Sequence, residues 1–161
     1  MNIDSTIEDL EAQAYFASKT ETSIRSTPLS LEVISREEIE PAKRLSIALV
    51  GLDFVAGFTD TNYLNNTNWQ LIPNTAVSSI SVLFGDLESA LVELTMSDFL
   101  ASKLIREHVL IKIATNNSPA YGKLLQVFGN FAVVDSGSVQ LIGLQSIQWL
   151  AVDKLSKSIR T

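Results

Sequence analysis

The sequence predicts a mainly β protein with flanking helices, built as two tandem modules that each place a helix before about five antiparallel strands. Three observations carry this prediction. Short apolar runs are bounded by Gly, Asn, Asp or Pro, two stretches show helical spacing, and the second set of runs matches the first.

In chain order, Ile3, Ile7, Leu10, Ala14 and Ala17 are spaced three and four apart, which predicts an amphipathic helix over Ser5 to about Arg25. Asp4 or Ser5 can cap it, and Glu8 and Asp9 suit the positive end of its dipole. Pro28 breaks the pattern, and Leu29 to Ile34 alternates with the period of a half-buried strand. A charged connection, Ser35 to Pro41, follows. Leu45 to Val50, Asp53 to Phe58, Trp69 to Ile72 and Thr75 to Leu83 then read as strands, with a polar loop from Thr59 to Asn68. Leu87, Leu91, Leu94, Phe99, Leu100 and Leu104 return to helical spacing, predicting one or two helices over Leu87 to Arg106. Five more strands are expected at His108 to Ala114, Ala120 to Phe128, Asn130 to Asp135, Ser138 to Ile142 and Leu144 to Val152.

The halves answer each other. Val50-Gly51-Leu52-Asp53-Phe54-Val55 parallels Val127-Phe128-Gly129-Asn130-Phe131-Ala132, and Trp69-Gln70-Leu71-Ile72-Pro73 parallels Val139-Gln140-Leu141-Ile142-Gly143. Val77 and Ile147 both lie seven residues after their Gln, and Ile80 and Leu150 both lie ten after it. The boundary falls at Gly85-Asp86, giving a first module over residues 1–85 and a second over 86–161. Modules this small bury little surface alone, so they must share a core or associate.

Gly122-Lys123-Leu124 with Phe128-Gly129-Asn130-Phe131-Ala132-Val133-Val134-Asp135 resembles the first Sm motif, and Leu141 to Leu150 resembles the second. The module order is similar to the Sm-like fold, a small open barrel. The whole chain is similar to a bacterial family of two-module Sm-like (Lsm-like) proteins of actinobacterial type, whose N-terminal helix is rich in Asp-Leu-Glu-Ala, here Asp9-Leu10-Glu11-Ala12. The resemblance implies two tandem Sm-like small open barrels and association by pairing of strand edges, hence a homo-oligomer or a closed pseudo-dimer of the two copies. RNA-binding Sm proteins carry an Asn late in the first motif and an Arg-Gly or Lys-His pair in the second. Here Ala132 stands at the Asn place, with Asn130 near it, and Ile142 precedes Gly143. The first module has Ala56 and Ile72-Pro73 at those places.

Composition narrows the function. The 161 residues are 46% hydrophobic and 19% charged, as in a packed chain. Absence of cysteine removes disulfides, thiolate metal sites and thiol nucleophiles, and fits a reducing compartment. The polar start Met1-Asn2-Ile3-Asp4 and the lack of any apolar stretch of about 18 residues lead us to expect a cytoplasmic protein with no membrane contact. Residues 1–85 carry 11 acidic and 5 basic side chains and residues 86–161 carry 7 of each, and the isoelectric point is near 4.7. That balance opposes non-specific binding to a phosphate backbone.

No catalytic constellation is expected. His108 is the one histidine and has no Cys or second His to share a zinc ion. Glu37, Glu38 and Glu40 read as a solvated run, and Gly51 to Gly57 lacks the Lys of a phosphate loop. Asp53, two residues after Gly51, and Asn130, directly after Gly129, take matching places, where they suit tight β-turns or would form a paired polar site across the repeat. Trp69 and Trp149 suit a core, a subunit contact or base stacking. The leading expectation is a non-catalytic assembly or scaffold protein without cofactor or metal. The alternative is an RNA-binding regulator using Asn130, Lys123 and Trp149.

Overall fold

The computed structural model describes residues 29–36, 42–59, 69–114 and 119–152. The expected N-terminal helix, the Glu37–Glu40 run and most of the Thr59 to Asn68 loop lie outside the described residues, as do residues 115–118 and 153–161.

Ten strands form one antiparallel sheet. They are β1 (Leu29–Ser35), β2 (Lys43–Val50), β3 (Phe54–Thr59), β4 (Trp69–Pro73), β5 (Val77–Phe84), β6 (His108–Ile113), β7 (Ala120–Phe128), β8 (Phe131–Asp135), β9 (Val139–Gly143) and β10 (Ile147–Val152). Their order in the sheet is β5-β1-β2-β3-β4-β10-β6-β7-β8-β9. The sheet is not closed: β5 and β9 stand at its ends. One α-helix, α1 (Met96–Lys103), lies among the described residues. What is found is thus the coarser form of the expectation, a mainly β antiparallel chain; in place of two separate barrels with a helix each, the strands make one continuous sheet.

Within that sheet the first five strands and the last five follow the same order, and their registers correspond. Phe54 faces Pro73 and Val55 faces Ile72 across β3 and β4; Phe131 faces Gly143 and Ala132 faces Ile142 across β8 and β9. Leu31 faces Val82 and Leu45 in the first group, and Val109 faces Val152 and Gly122 in the second. A one-turn 3-10 helix precedes the fifth strand of each group, Asn74–Ala76 and Leu144–Ser146. These turns occupy residues expected to begin strands, because Pro73 and Gly143 end the pairing of β4 and β9.

The second strand of each group is bent by a bulge, between Ser46 and Leu49 in β2 and between Leu124 and Gln126 in β7. An extra residue reverses which face the following side chains take. Thus Leu45 enters a smaller core with Leu29, Leu31, Val33, Val55 and Ile72, whereas Ile47 and Leu49 enter the larger one. Ile47 adopts φ 53°, costly for a β-branched residue, and the strain falls where the bulge is made.

The expected helical stretch is shorter than its spacing predicts. Residues Leu87–Leu94 instead lie along the β2–β3 turn: Val92 N–H donates to the Val50 carbonyl (2.9 Å) and Leu52 N–H to the Leu94 carbonyl (2.8 Å). Only a 3-10 turn, Glu88–Ala90, interrupts this segment. Helix α1 then starts at a conventional cap, the Thr95 hydroxyl accepting from Asp98 N–H at 3.1 Å.

The larger core belongs to both halves. It joins Phe54, Phe58, Trp69 and Leu71 to Phe99, Leu124, Val134, Ile147 and Leu150. Phe99 of α1 stacks on Trp69 (ring centroids 5.6 Å apart, 9° between planes) and lies 5.3 Å from Phe54.

Candidate functional site

The two halves meet where β4 pairs with β10, Leu71 opposite Leu150 and Gln70 opposite Ala151. All five residues of β4 are buried, as is every residue of β10 but the half-buried Trp149. Across this seam Lys43 of β2 donates from Nζ to Gln70 Oε1 (3.1 Å) and sits 4.6 Å from the centre of the Trp149 ring. One ammonium therefore ties β2, β4 and β10 together by a hydrogen bond and a cation–π contact. Nearby, Gln148 Nε2 approaches Ser35 Oγ (3.4 Å), while Gln148 Oε1 and Trp69 Nε1 are buried without a hydrogen-bond partner.

At one end of the seam, turns from both halves line a cleft of about 550 Å³. Asp53 and Asn74 come from the first group, Asn130 and Gln145 from the second, and Thr95 and Ser97 from the start of α1. Sequence reading left Asp53 and Asn130 as turn residues or as a paired polar site, and the structure makes them turn residues that line the same cleft. The equivalence extends to the backbone: Asn74 N–H donates to the Asp53 carbonyl (2.9 Å), and Leu144 N–H to the Asn130 carbonyl (2.8 Å). Gly129 takes φ 59° in the two-residue loop between Phe128 and Phe131, as the first position of a II′ hairpin requires.

Asp53 has a task of its own. Its Oδ1 accepts from Met96 N–H at 2.6 Å, satisfying one of the amides that a helix start leaves unpaired. The cleft is thus walled by amides, hydroxyls, the apolar Pro73, Met96 and Leu144, and one carboxylate already engaged with α1. Among the described residues no Lys or Arg lines it, and no group of three His, Cys, Asp or Glu side chains could hold a metal ion.

The residues named for RNA binding are not brought together. Asn130 lines the cleft, Trp149 borders a separate crevice beside Lys43 and Gln148, and Lys123 is exposed on β7 opposite His108 and Asp135. Ala132 and Ile142 are buried and face each other across β8 and β9. His108 opens β6 with its ring 6.0 Å from that of Tyr121.

Among the described residues, both end strands of the sheet also expose apolar side chains. Ile80, Val82, Leu83 and Phe84 of β5 are exposed, as are Val139 and Leu141 of β9 and Phe131 beside it. Neither end strand contains a charged residue. Sequence reading placed these strands but did not single out their apolar residues, because alternation such as Val77-Ser78-Ser79-Ile80-Ser81-Val82 looks the same whether its apolar side meets a core or a partner. No helix among the described residues is long and apolar enough to cross a membrane. No protein-family model matches the sequence, and comparison with curated proteins gives no match.

Proposed function

We propose that the protein is a non-catalytic Sm-like assembly or scaffold protein, two small barrel-like modules fused in one chain, which associates with itself through strand edges. The observation that carries this reading is the pair of uncharged, apolar end strands, β5 and β9. Edges in monomeric β proteins are normally blunted by Lys, Pro, bulges or a covering element, since unpaired N–H and C=O groups recruit other strands. Here the pairing of β5 with β1 is irregular at two points, yet neither edge strand carries a Lys or a Pro, and both are lined by apolar residues, Ile80, Val82, Phe84, Val139 and Leu141. The two-module reading draws support from the shared strand order, the matched registers and the 3-10 turn before each fifth strand.

The RNA-binding reading has less support, because Asn130, Lys123 and Trp149 occupy three separate places. Static light scattering tests the assembly reading. We expect a mass that is a multiple of 17.6 kDa at micromolar concentration, falling to one chain when Ile80→Lys and Leu141→Lys are combined. A wild-type mass of one chain would rule the reading out.

A further inference from the structure

We infer that the crevice between β1, β2 and β10 is a binding site for one water molecule, held by the Gln148 side-chain amide and tying the second half of the chain to the first.

Gln148 carries the inference. It is only 3% exposed, and its amide has two polar ends to satisfy. Nε2 approaches Ser35 Oγ at 3.4 Å, while Oε1 has no partner. Turning the amide over does not remove the problem, because the oxygen would then accept from the Ser35 hydroxyl and the nitrogen would be left unpaired. An unpaired polar atom inside a protein costs free energy, and nearly all such atoms bond to protein or to ordered water.

The crevice beside Gln148 has the size and chemistry of a water site. Val33, Ser35, Lys43, Ile72, Gln148 and Trp149 line it. The volume open to the centre of a water molecule is about 10 Å³, the room of a single molecule. A buried water takes two to four polar partners, and Ser35, Lys43 and Gln148 supply three. Val33, Ile72 and Trp149 form the apolar walls. Other occupants fit worse: a metal cation would meet the Lys43 ammonium, and phosphate or sulfate is too large. The three polar partners come from three strands, Ser35 from β1, Lys43 from β2 and Gln148 from β10. A water among them extends the polar contacts of the seam, where Lys43 already holds Gln70.

A crystal structure of the full chain, at a resolution that shows ordered water, tests the site. We expect one peak about 2.7–3.2 Å from the Gln148 amide and also from Ser35 Oγ or Lys43 Nζ, and its loss in Gln148→Met. The site is overturned if the crevice is dry, or if both ends of the Gln148 amide bond to protein. It is equally overturned if a bromide soak leaves an anomalous signal there, which marks an anion. Urea unfolding gives a second reading that needs no crystal. Methionine is close to glutamine in size and brings only a weakly polar sulfur. If the Gln148 amide were unpaired in the native protein, Gln148→Met would remove that penalty and raise the urea midpoint. We expect no rise, because water already satisfies the amide, and a rise overturns the site.

Discussion

At the scale of single residues, Asp53 shows what a motif at one turn does elsewhere. Its carboxylate holds Met96 N–H, so Asp53→Ala should cost about 0.5–2 kcal/mol in urea unfolding and Asp53→Asn much less, the range for loss of a helix N-cap. Gly122 is constrained by space: a Cβ there would sit 2.6 Å from the Asp135 carbonyl oxygen and 2.7 Å from a Val134 methyl. Gly122→Ala should therefore destabilise by about 1–3 kcal/mol, seen as a lower urea midpoint at unchanged slope. The pairing of Asp53 with Asn130 was legible as matching positions after glycine, but the bond from Met96 was not, because Asp53 and Met96 are distant in sequence and joined only by the fold. The dispersal of Asn130, Lys123 and Trp149 has a measurable consequence. Without a base-holding amide beside positive charge, short uridine-rich or adenine-rich RNA should bind only above about 10 μM at physiological salt in fluorescence anisotropy. Submicromolar binding abolished by Asn130→Ala would contradict this.

At the scale of elements, the strands were readable because their apolar runs are short and punctuated, whereas the extent of α1 was not. Leu87, Leu91 and Leu94 keep helical spacing, yet Val92 and Leu94 bond to the ends of the β2–β3 turn, and this tertiary pairing outweighs a local preference worth a few tenths of a kcal/mol per residue. That the halves join was expected, because modules this small must share a core or associate, but which strands meet was hidden, since nothing in the composition of Trp69–Pro73 or Ile147–Val152 names its neighbour. Equivalent strands with different neighbours make a direct comparison. Leu71→Lys places a charge in the buried seam and should prevent folding, as judged by loss of near-UV circular dichroism. Leu141→Lys, at the corresponding place in the exposed strand β9, should leave that spectrum intact while lowering the assembled mass. If both variants folded equally well, the contrast between inner and outer strands would be lost.

At the scale of the whole molecule, the boundary at Gly85-Asp86 divides the sequence but not the core. Phe99 is encoded in the second half and stacks on Trp69 of the first, and Leu150 of the second half closes over Leu71. Both tryptophans lie at the seam, Trp69 buried within it and Trp149 against Lys43, so tryptophan fluorescence reports on the joint between the halves. If each half were an independent domain, unfolding would proceed in two steps, and each half expressed alone would fold. The shared core predicts the opposite. The full chain should lose fluorescence and circular dichroism signals together in one urea transition, as coupled units do. Separately produced residues 1–85 would lack the cover that α1 and β10 give to Trp69 and Leu71, and residues 86–161 would carry β10 with an open edge and Phe99 with no ring to stack on. Neither piece should show native near-UV circular dichroism alone, and mixing them in equal amounts should restore it. Two resolved transitions in the full chain, or a native spectrum from either piece by itself, would show that the halves fold without the seam.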